Sequence, residues 1–222
     1  MFNVGLIYLT LAITVHHCHE EEGVQYKKYS SADEEACVSL TVWTKSLVFS
    51  CKGFTVIGPD GSLVYRVDNY TGRPDQTLLM DGSGNPIFTI CRRKKLRLVD
   101  NNWQVYEGEM GNNDISSSSK KPMFCVRKNT SMIMRTKPSV LAYVSGGILC
   151  EWGHTYTIEG SYVHRSCKIL DETKRVCAEI KKKEALPGGV FFGPEVFDLV
   201  VKPGIESRFA MAIVILLDQM FS

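Results

Sequence analysis

The 222-residue sequence predicts a mainly β protein, a sandwich or barrel, with one hydrophobic helix at its C-terminal end. Three observations lead there. Short runs of β-branched and aromatic residues recur at roughly ten-residue spacing from Cys37 onward. Turns rich in Gly, Asp and Asn separate them. Finally, nine consecutive apolar residues, Phe209-Ala-Met-Ala-Ile-Val-Ile-Leu-Leu217, stand between Arg208 and Asp218.

Along the chain, Val38-Ser-Leu-Thr-Val-Trp43 alternates apolar and polar side chains, and Leu47-Val-Phe-Ser50 likewise reads as a strand. Two similar units follow. Gly58-Pro-Asp-Gly61 precedes Ser62-Leu-Val-Tyr-Arg-Val67, and Asp81-Gly-Ser-Gly-Asn85 precedes Pro86-Ile-Phe-Thr-Ile90. In each, a turn divides two strand-like runs, the pattern of a hairpin. Neither turn has the glycine spacing or following helix of a P-loop, so its glycines serve turn geometry rather than phosphate binding. Further strands are expected at Leu96–Val99, Trp103–Glu107, Met123–Val126, Leu141–Val144, Tyr156–Ile158, Cys167–Leu170, Val176–Ile180 and Val196–Val201. The polar segment 111–121, with Ser116 to Ser119 in a row, reads as a mobile loop.

Lys202-Pro-Gly-Ile205 breaks the last strand, and a helix over about residues 205–220 follows. A helix carrying Phe209, Met211, Ile213, Val214, Ile215, Leu216 and Leu217 is apolar on every face and has to be buried. Nine residues rise roughly 14 Å, about half of the ~30 Å hydrocarbon layer, which favours the protein core over a membrane anchor. Arg208 and Asp218 at its ends argue the same way. A closed barrel of more than about ten strands is wide enough to need such a filler, and closure removes the sheet edges.

Composition is that of a globular chain, 44% hydrophobic and 23% charged. The net charge of +2 hides an asymmetry. Residues 1–36 hold two lysines against six acids, −4, which leaves 24 basic and 18 acidic residues, +6, for the remainder. That excess suits anionic headgroups or phosphates and falls short of a nucleic-acid binder, so nucleic acid is not an expected ligand. The eight cysteines, at 18, 37, 51, 91, 125, 150, 167 and 177, include no C-x-x-C pair. They read as buried free thiols acting as small hydrophobes rather than as a zinc site. Residues 2–15 are an apolar run of signal-peptide length, but no Lys or Arg precedes it and His16-His17-Cys18-His19 offers no small-residue cleavage site. The sequons Asn69-Tyr-Thr and Asn129-Thr-Ser leave secretion, with disulfide bonding, as an alternative; a cytoplasmic protein with membrane or nuclear association is the leading expectation.

No G-x-S-x-G, H-E-x-x-H or C-x-x-C element is present. His154 and His164 have no acidic neighbour at catalytic or ligand spacing, so no catalytic residue, metal or cofactor is expected. Trp43, Trp103 and Trp152 fall among aliphatics at strand period and read as core rather than as a stacking platform. The densest basic run is Arg92-Arg-Lys-Lys95 with Arg97. Alternate strand residues share a face, so about three of these cations can meet one anionic surface. They serve equally well as a solvated face that blunts a strand edge. Lys120-Lys121 and Lys181-Lys-Lys183 read as loop residues that favour solubility.

Taken together, Val56-Ile-Gly-Pro-Asp-Gly-Ser-Leu-Val-Tyr-Arg-Val-Asp-Asn-Tyr70 and Thr77-Leu-Leu-Met-Asp-Gly-Ser-Gly-Asn-Pro86 resemble plant LURP-one-related proteins. Ile90-Cys-Arg-Arg-Lys-Lys-Leu96, Trp103-Gln-Val-Tyr-Glu-Gly108, Glu159-Gly-Ser-Tyr162 and Leu199-Val-Val-Lys-Pro-Gly204 extend the likeness over roughly residues 38–220. The resemblance implies a domain over 37–222, with residues 1–36 as an extension outside it. It implies a twelve-stranded barrel around a hydrophobic C-terminal helix, as in tubby C-terminal domains and as proposed for phospholipid scramblases. It further implies a non-enzymatic regulatory or adaptor protein, tethered to membranes through a phosphoinositide or other anionic phospholipid and linked to plant defence. A scramblase-like, membrane-anchored protein is the alternative within the same superfamily. A monomer is the expected assembly, and protein partners are unassigned.

Overall fold

A computed structural model describes residues 37–48, 51–69, 76–95, 98–111, 121–130, 140–146, 155–184 and 192–222. The extension 1–36 with its His16–His19 cluster, the serine-rich segment 112–120, Arg97, Trp152 and His154 lie outside the described residues.

Twelve strands and one helix are described: β1 (Val38–Trp43), β2 (Lys52–Ile57), β3 (Leu63–Asn69), β4 (Gln76–Asp81), β5 (Pro86–Lys95), β6 (Leu98–Glu107), β7 (Phe124–Lys128), β8 (Val140–Gly146), β9 (Tyr156–Ser161), β10 (Ser166–Leu170), β11 (Val176–Lys182), β12 (Val196–Val201) and α1 (Ser207–Phe221). Each strand pairs antiparallel with its neighbours in sequence, and β1 closes on β12 from Val38↔Val201 to Trp43↔Val196. The result is an up-and-down barrel without a free edge.

Turn chemistry sets its corners. Asp60 accepts from the Ser62 hydroxyl at 2.7 Å, and Asp81 from the Asn85 side-chain amide at 2.8 Å. These bonds hold both carboxyl groups below the ordinary aspartate range. At the β9–β10 corner Gly160 has φ +117, and a Cβ there would lie 2.1 Å from the Ser166 carbonyl oxygen, so only glycine fits.

Alternate wall residues point inward, among them Val42, Val67, Trp103, Val126, Ile158 and Leu199, each at most 2% exposed. They surround α1, in which every residue from Phe209 to Leu217 is buried. The β-branched Ile213, Val214 and Ile215 are poor helix formers, and burial against the wall overrides that preference. Phe209 packs its ring 5.0 Å from that of Phe124 and 5.1 Å from that of Tyr156. Polar bonds hold the helix at both ends: Ser207 meets the Tyr65 hydroxyl at 2.8 Å, Gln219 donates to Thr77 at 2.8 Å, and Asp218 accepts from Tyr162 at 3.0 Å.

Some local expectations are corrected. Leu47-Val-Phe-Ser50 is not a strand over its described part, where Leu47 and Val48 form a bend. The Ser46 side chain causes the turn, because it donates to the buried Asp68 while accepting from the Val48 amide at 2.9 Å. Val99 and Trp103–Glu107 belong to one strand, β6, rather than two. Lys181 and Lys182 lie in β11 instead of a loop. Trp43 faces outward and is half-buried, whereas Trp103 is core. Cys91 and Cys167 are buried, but Cys51, Cys125 and Cys177 are half-buried and Cys37 is exposed, which corrects the reading of the cysteines as core. Cys125 shows why: it lies between the inward Phe124 and Val126, so strand alternation turns it outward.

Candidate anion-binding site

An up-and-down barrel sends its connections alternately to its two ends. The pairings Gln76↔Cys91, Asn102↔Arg127 and Ser166↔Lys181 place the odd-to-even connections at one rim, together with the last turn of α1. The β5–β6 hairpin is one of them. Arg92 and Lys95 pair only within it, with Trp103 and Leu98, beyond the last rung to β4 at Cys91. Four residues past that rung reach roughly 13 Å beyond the neighbouring strand. Arg92, Arg93, Lys94 and Lys95 thus share one arm of the hairpin. Arg92 is exposed, with its guanidinium 5.0 Å from the centre of the Trp103 ring. The pairing register of β5 with β6 shifts between Arg92 and Lys94.

The rest of this rim adds cations far apart in sequence. Lys45 is exposed, with its ammonium 5.3 Å from the Trp43 ring centre. Lys52 opens β2 and Lys182 ends β11, both exposed. In the β9–β10 turn Arg165 holds a left-handed φ of 50, and its guanidinium lies 4.1 Å from the Tyr162 ring centre and 4.4 Å from that of Phe197. Its Nε donates to the Pro194 carbonyl at 2.9 Å, while Nη1 is buried with no hydrogen-bond partner among the described residues. Beside it a groove of about 420 Å³ is lined by His164, Arg165, Lys168, Glu179, Lys181 and Lys182.

Three acids of this rim, Asp68, Asp198 and Asp218, are drawn into internal bonds, whereas Glu184 and Glu195 are exposed. Asp68, 3% exposed, accepts from Ser46 and from Arg66 Nε, the latter at 2.7 Å. Asp198 takes Lys183 at 2.8 Å. Burial, with the Asp218 carboxylate second, raises the Tyr162 hydroxyl above the usual tyrosine range and keeps it a donor.

Reactive chemistry is sparse among the described residues. The Ser161 hydroxyl and His164 Nδ1 lie 2.8 Å apart on an exposed turn and close that turn. A second groove, about 540 Å³ beside the β10–β11 turn, holds Tyr156 and Cys177, whose hydroxyl and thiol are both raised by burial and so stay protonated. Among the described residues no group of three His, Cys, Asp or Glu side chains can hold a metal ion, and no helix is long and apolar enough to cross a membrane.

The sequence singles out only the hairpin cations. Lys45, Lys52, Arg165 and Lys182 stand alone or among residues of other roles. Their signal is parity: each flanks an odd-to-even connection, which requires the strand count.

A family model described as LURP-one-related matches residues 38–218. Among curated proteins of Arabidopsis thaliana, LURP-one-related 8 is 50% identical over 195 residues, 86% of this chain and 91% of that protein. LURP-one-related 17 is 48% identical over 193 residues, 84% of this chain and 85% of its own. The crystal structure of an Arabidopsis thaliana protein superposes with a TM-score of 0.54 at 20% identity, covering 82% of this chain and 90% of that one. That likeness is one of fold.

Proposed function

Since the chain belongs to the LURP-one-related family, we propose that it is a non-enzymatic adaptor or regulatory protein, held at membranes by anionic phospholipid, with a phosphoinositide as the ligand to test. The observation that carries this reading is the β5–β6 arm with four consecutive cations, Arg92 to Lys95, on a rim where three acids, Asp68, Asp198 and Asp218, are internally bonded and Glu184 and Glu195 stand beside β11 and β12 rather than on the arm. Each cation near an anionic membrane surface contributes ~1 kcal/mol, so a small cluster is enough for reversible tethering. The interior offers no competing role, because the α1 filler occupies it from Phe209 to Leu217. The defence role that the sequence resemblance implies fits recruitment of a partner to a membrane.

Co-sedimentation with phosphatidylcholine vesicles, with and without a phosphoinositide, is the test. The wild type is expected with the doped vesicles only, and joint replacement of Arg92, Arg93, Lys94 and Lys95 by alanine lowers partition by more than about tenfold. Equal partition onto both vesicle types removes the lipid reading.

A further inference from the structure

We infer that the β1–β2 and β9–β10 connections and the end of β11 share with the β5–β6 arm the docking face for an anionic bilayer, with Leu47 and Val163 entering the interfacial layer and Lys45, Lys52, Arg92 and Lys182 at headgroup level. This inference rests on the lipid reading above and adds its geometry.

The first support is circular order. Every strand neighbours the next in sequence around the closed barrel, so the β1–β2, β5–β6 and β9–β10 connections stand four strands apart, a third of the circumference each. All three belong to the same rim, and they surround the helix end. Spaced this way, the three connections are separate points of support around the helix end.

The second is the chemistry at those supports. Among the described residues the exposed large hydrophobics are Val38, Leu47 and Val163. Val38 begins β1 at the far end, whereas Leu47 lies in the β1–β2 connection at 42% exposure and Val163 in the β9–β10 turn at 65%. A lone exposed valine needs no explanation. Here both apolar residues occupy supports that also carry cations: Lys45 and Lys52 flank Leu47, and Arg165 follows Val163. Apolar tips ringed by Lys and Arg suit a bilayer interface, where the tip leaves water and the cations stay with the headgroups. A free soluble anion would have no use for either tip.

The third is the groove of about 420 Å³ beside the β9–β10 turn that carries Val163, with Arg165, Lys168, Lys181 and Lys182 on its walls. It is positioned to take a headgroup phosphate while Val163 meets the acyl boundary. Glu179 in the same groove is committed to Lys181, whose hydrogen bond holds its carboxyl below the ordinary range.

Vesicle partition of single variants tests the orientation, with thermal melting as the check on folding. On phosphoinositide-doped vesicles, Val163→Asp and Leu47→Asp are expected to bind several-fold more weakly than wild type, and Lys182→Ala about fivefold more weakly. Val163→Gln serves where the aspartate variant does not fold. Lys174→Ala, on the opposite rim, is expected to leave partition unchanged. Affinity for soluble inositol bisphosphate is expected to be the same in wild type and Val163→Asp. If wild type ignores doped vesicles, both the lipid reading and the orientation fall. If wild type binds them but Val163→Asp, Leu47→Asp and Lys182→Ala are all silent, the orientation alone falls. Lys174→Ala as costly as Lys182→Ala reduces binding to net charge and overturns it. So does an equal loss of inositol bisphosphate affinity in Val163→Asp, which would assign the turn to a soluble phosphate.

Discussion

The Lys128 ammonium donates to the main-chain carbonyl of Met220 at 2.6 Å and lies 4.3 Å from the centre of the Phe221 ring. A strand of the wall thus caps the helix it encloses. The last turn of α1 has no basic residue of its own, and past the Asp218 carbonyl, which accepts from the Ser222 amide at 3.0 Å, its carbonyl groups have no partners within the helix. Lys128 supplies both a donor and a positive charge at the negative end of the helix dipole.

Lys128→Met keeps most of the aliphatic stem and removes that donor. The expected loss is about 1–2 kcal/mol of folding stability, read from urea unfolding. An unchanged unfolding midpoint would show that the cap has no energetic role.

Tyr162 and Asp218 are a second tie between wall and filler. Tyr162→Phe and Asp218→Asn are each expected to destabilise by about 1–2 kcal/mol, with a coupling energy above about 0.5 kcal/mol in a double-mutant cycle. Strict additivity would contradict a direct bond.

At the centre of the filler Ile213 has no exposed surface. Ile213→Val is expected to cost about 0.5–1.5 kcal/mol, whereas Ile213→Asp leaves an unpaired charge among apolar atoms and unfolds the domain. Circular dichroism melts distinguish the two. An aspartate variant that melts like the wild type would remove the helix from the barrel interior.

Asp171 ties the β10–β11 turn. It accepts from the Thr173 hydroxyl at 2.7 Å and from Arg175 Nε at 2.8 Å, and chiefly through the Thr173 bond its pKa falls to about 2 from 3.8. A carboxyl whose folded pKa is depressed adds stability fully present above its unfolded value and lost as pH falls through the folded one. The stability gap between wild type and Asp171→Asn is therefore expected to be constant above about pH 5 and to shrink from pH 4 towards about 2. A gap independent of pH across that range would assign the effect to shape rather than charge.

Much of the fold is legible in the chain because its signals are local. Asp60 and Asp81 mark corners since each bonds residues only two to four positions away. The alternation in Val38–Trp43 follows from strand period. Leu47 misleads because the bond that bends the chain there joins Ser46 to Asp68, 22 residues later. The candidate site divides the same way. Arg92 to Lys95 is a visible run, whereas Lys45, Lys52, Arg165 and Lys182 come to share one rim only when the strands are counted and closed.

The sequence by itself determined the strand-and-turn rhythm, the need to bury Phe209–Leu217 on every side, and the position of the basic arm, since each depends on residues close along the chain. Only the tertiary structure decided that β1 closes on β12, that Lys128, Thr77 and Tyr162 secure the end of the helix, and that three connections four strands apart share one rim. Those relations join residues as much as 163 positions apart, Val38 and Val201, and they exist only once the barrel closes around an apolar filler that water cannot solvate.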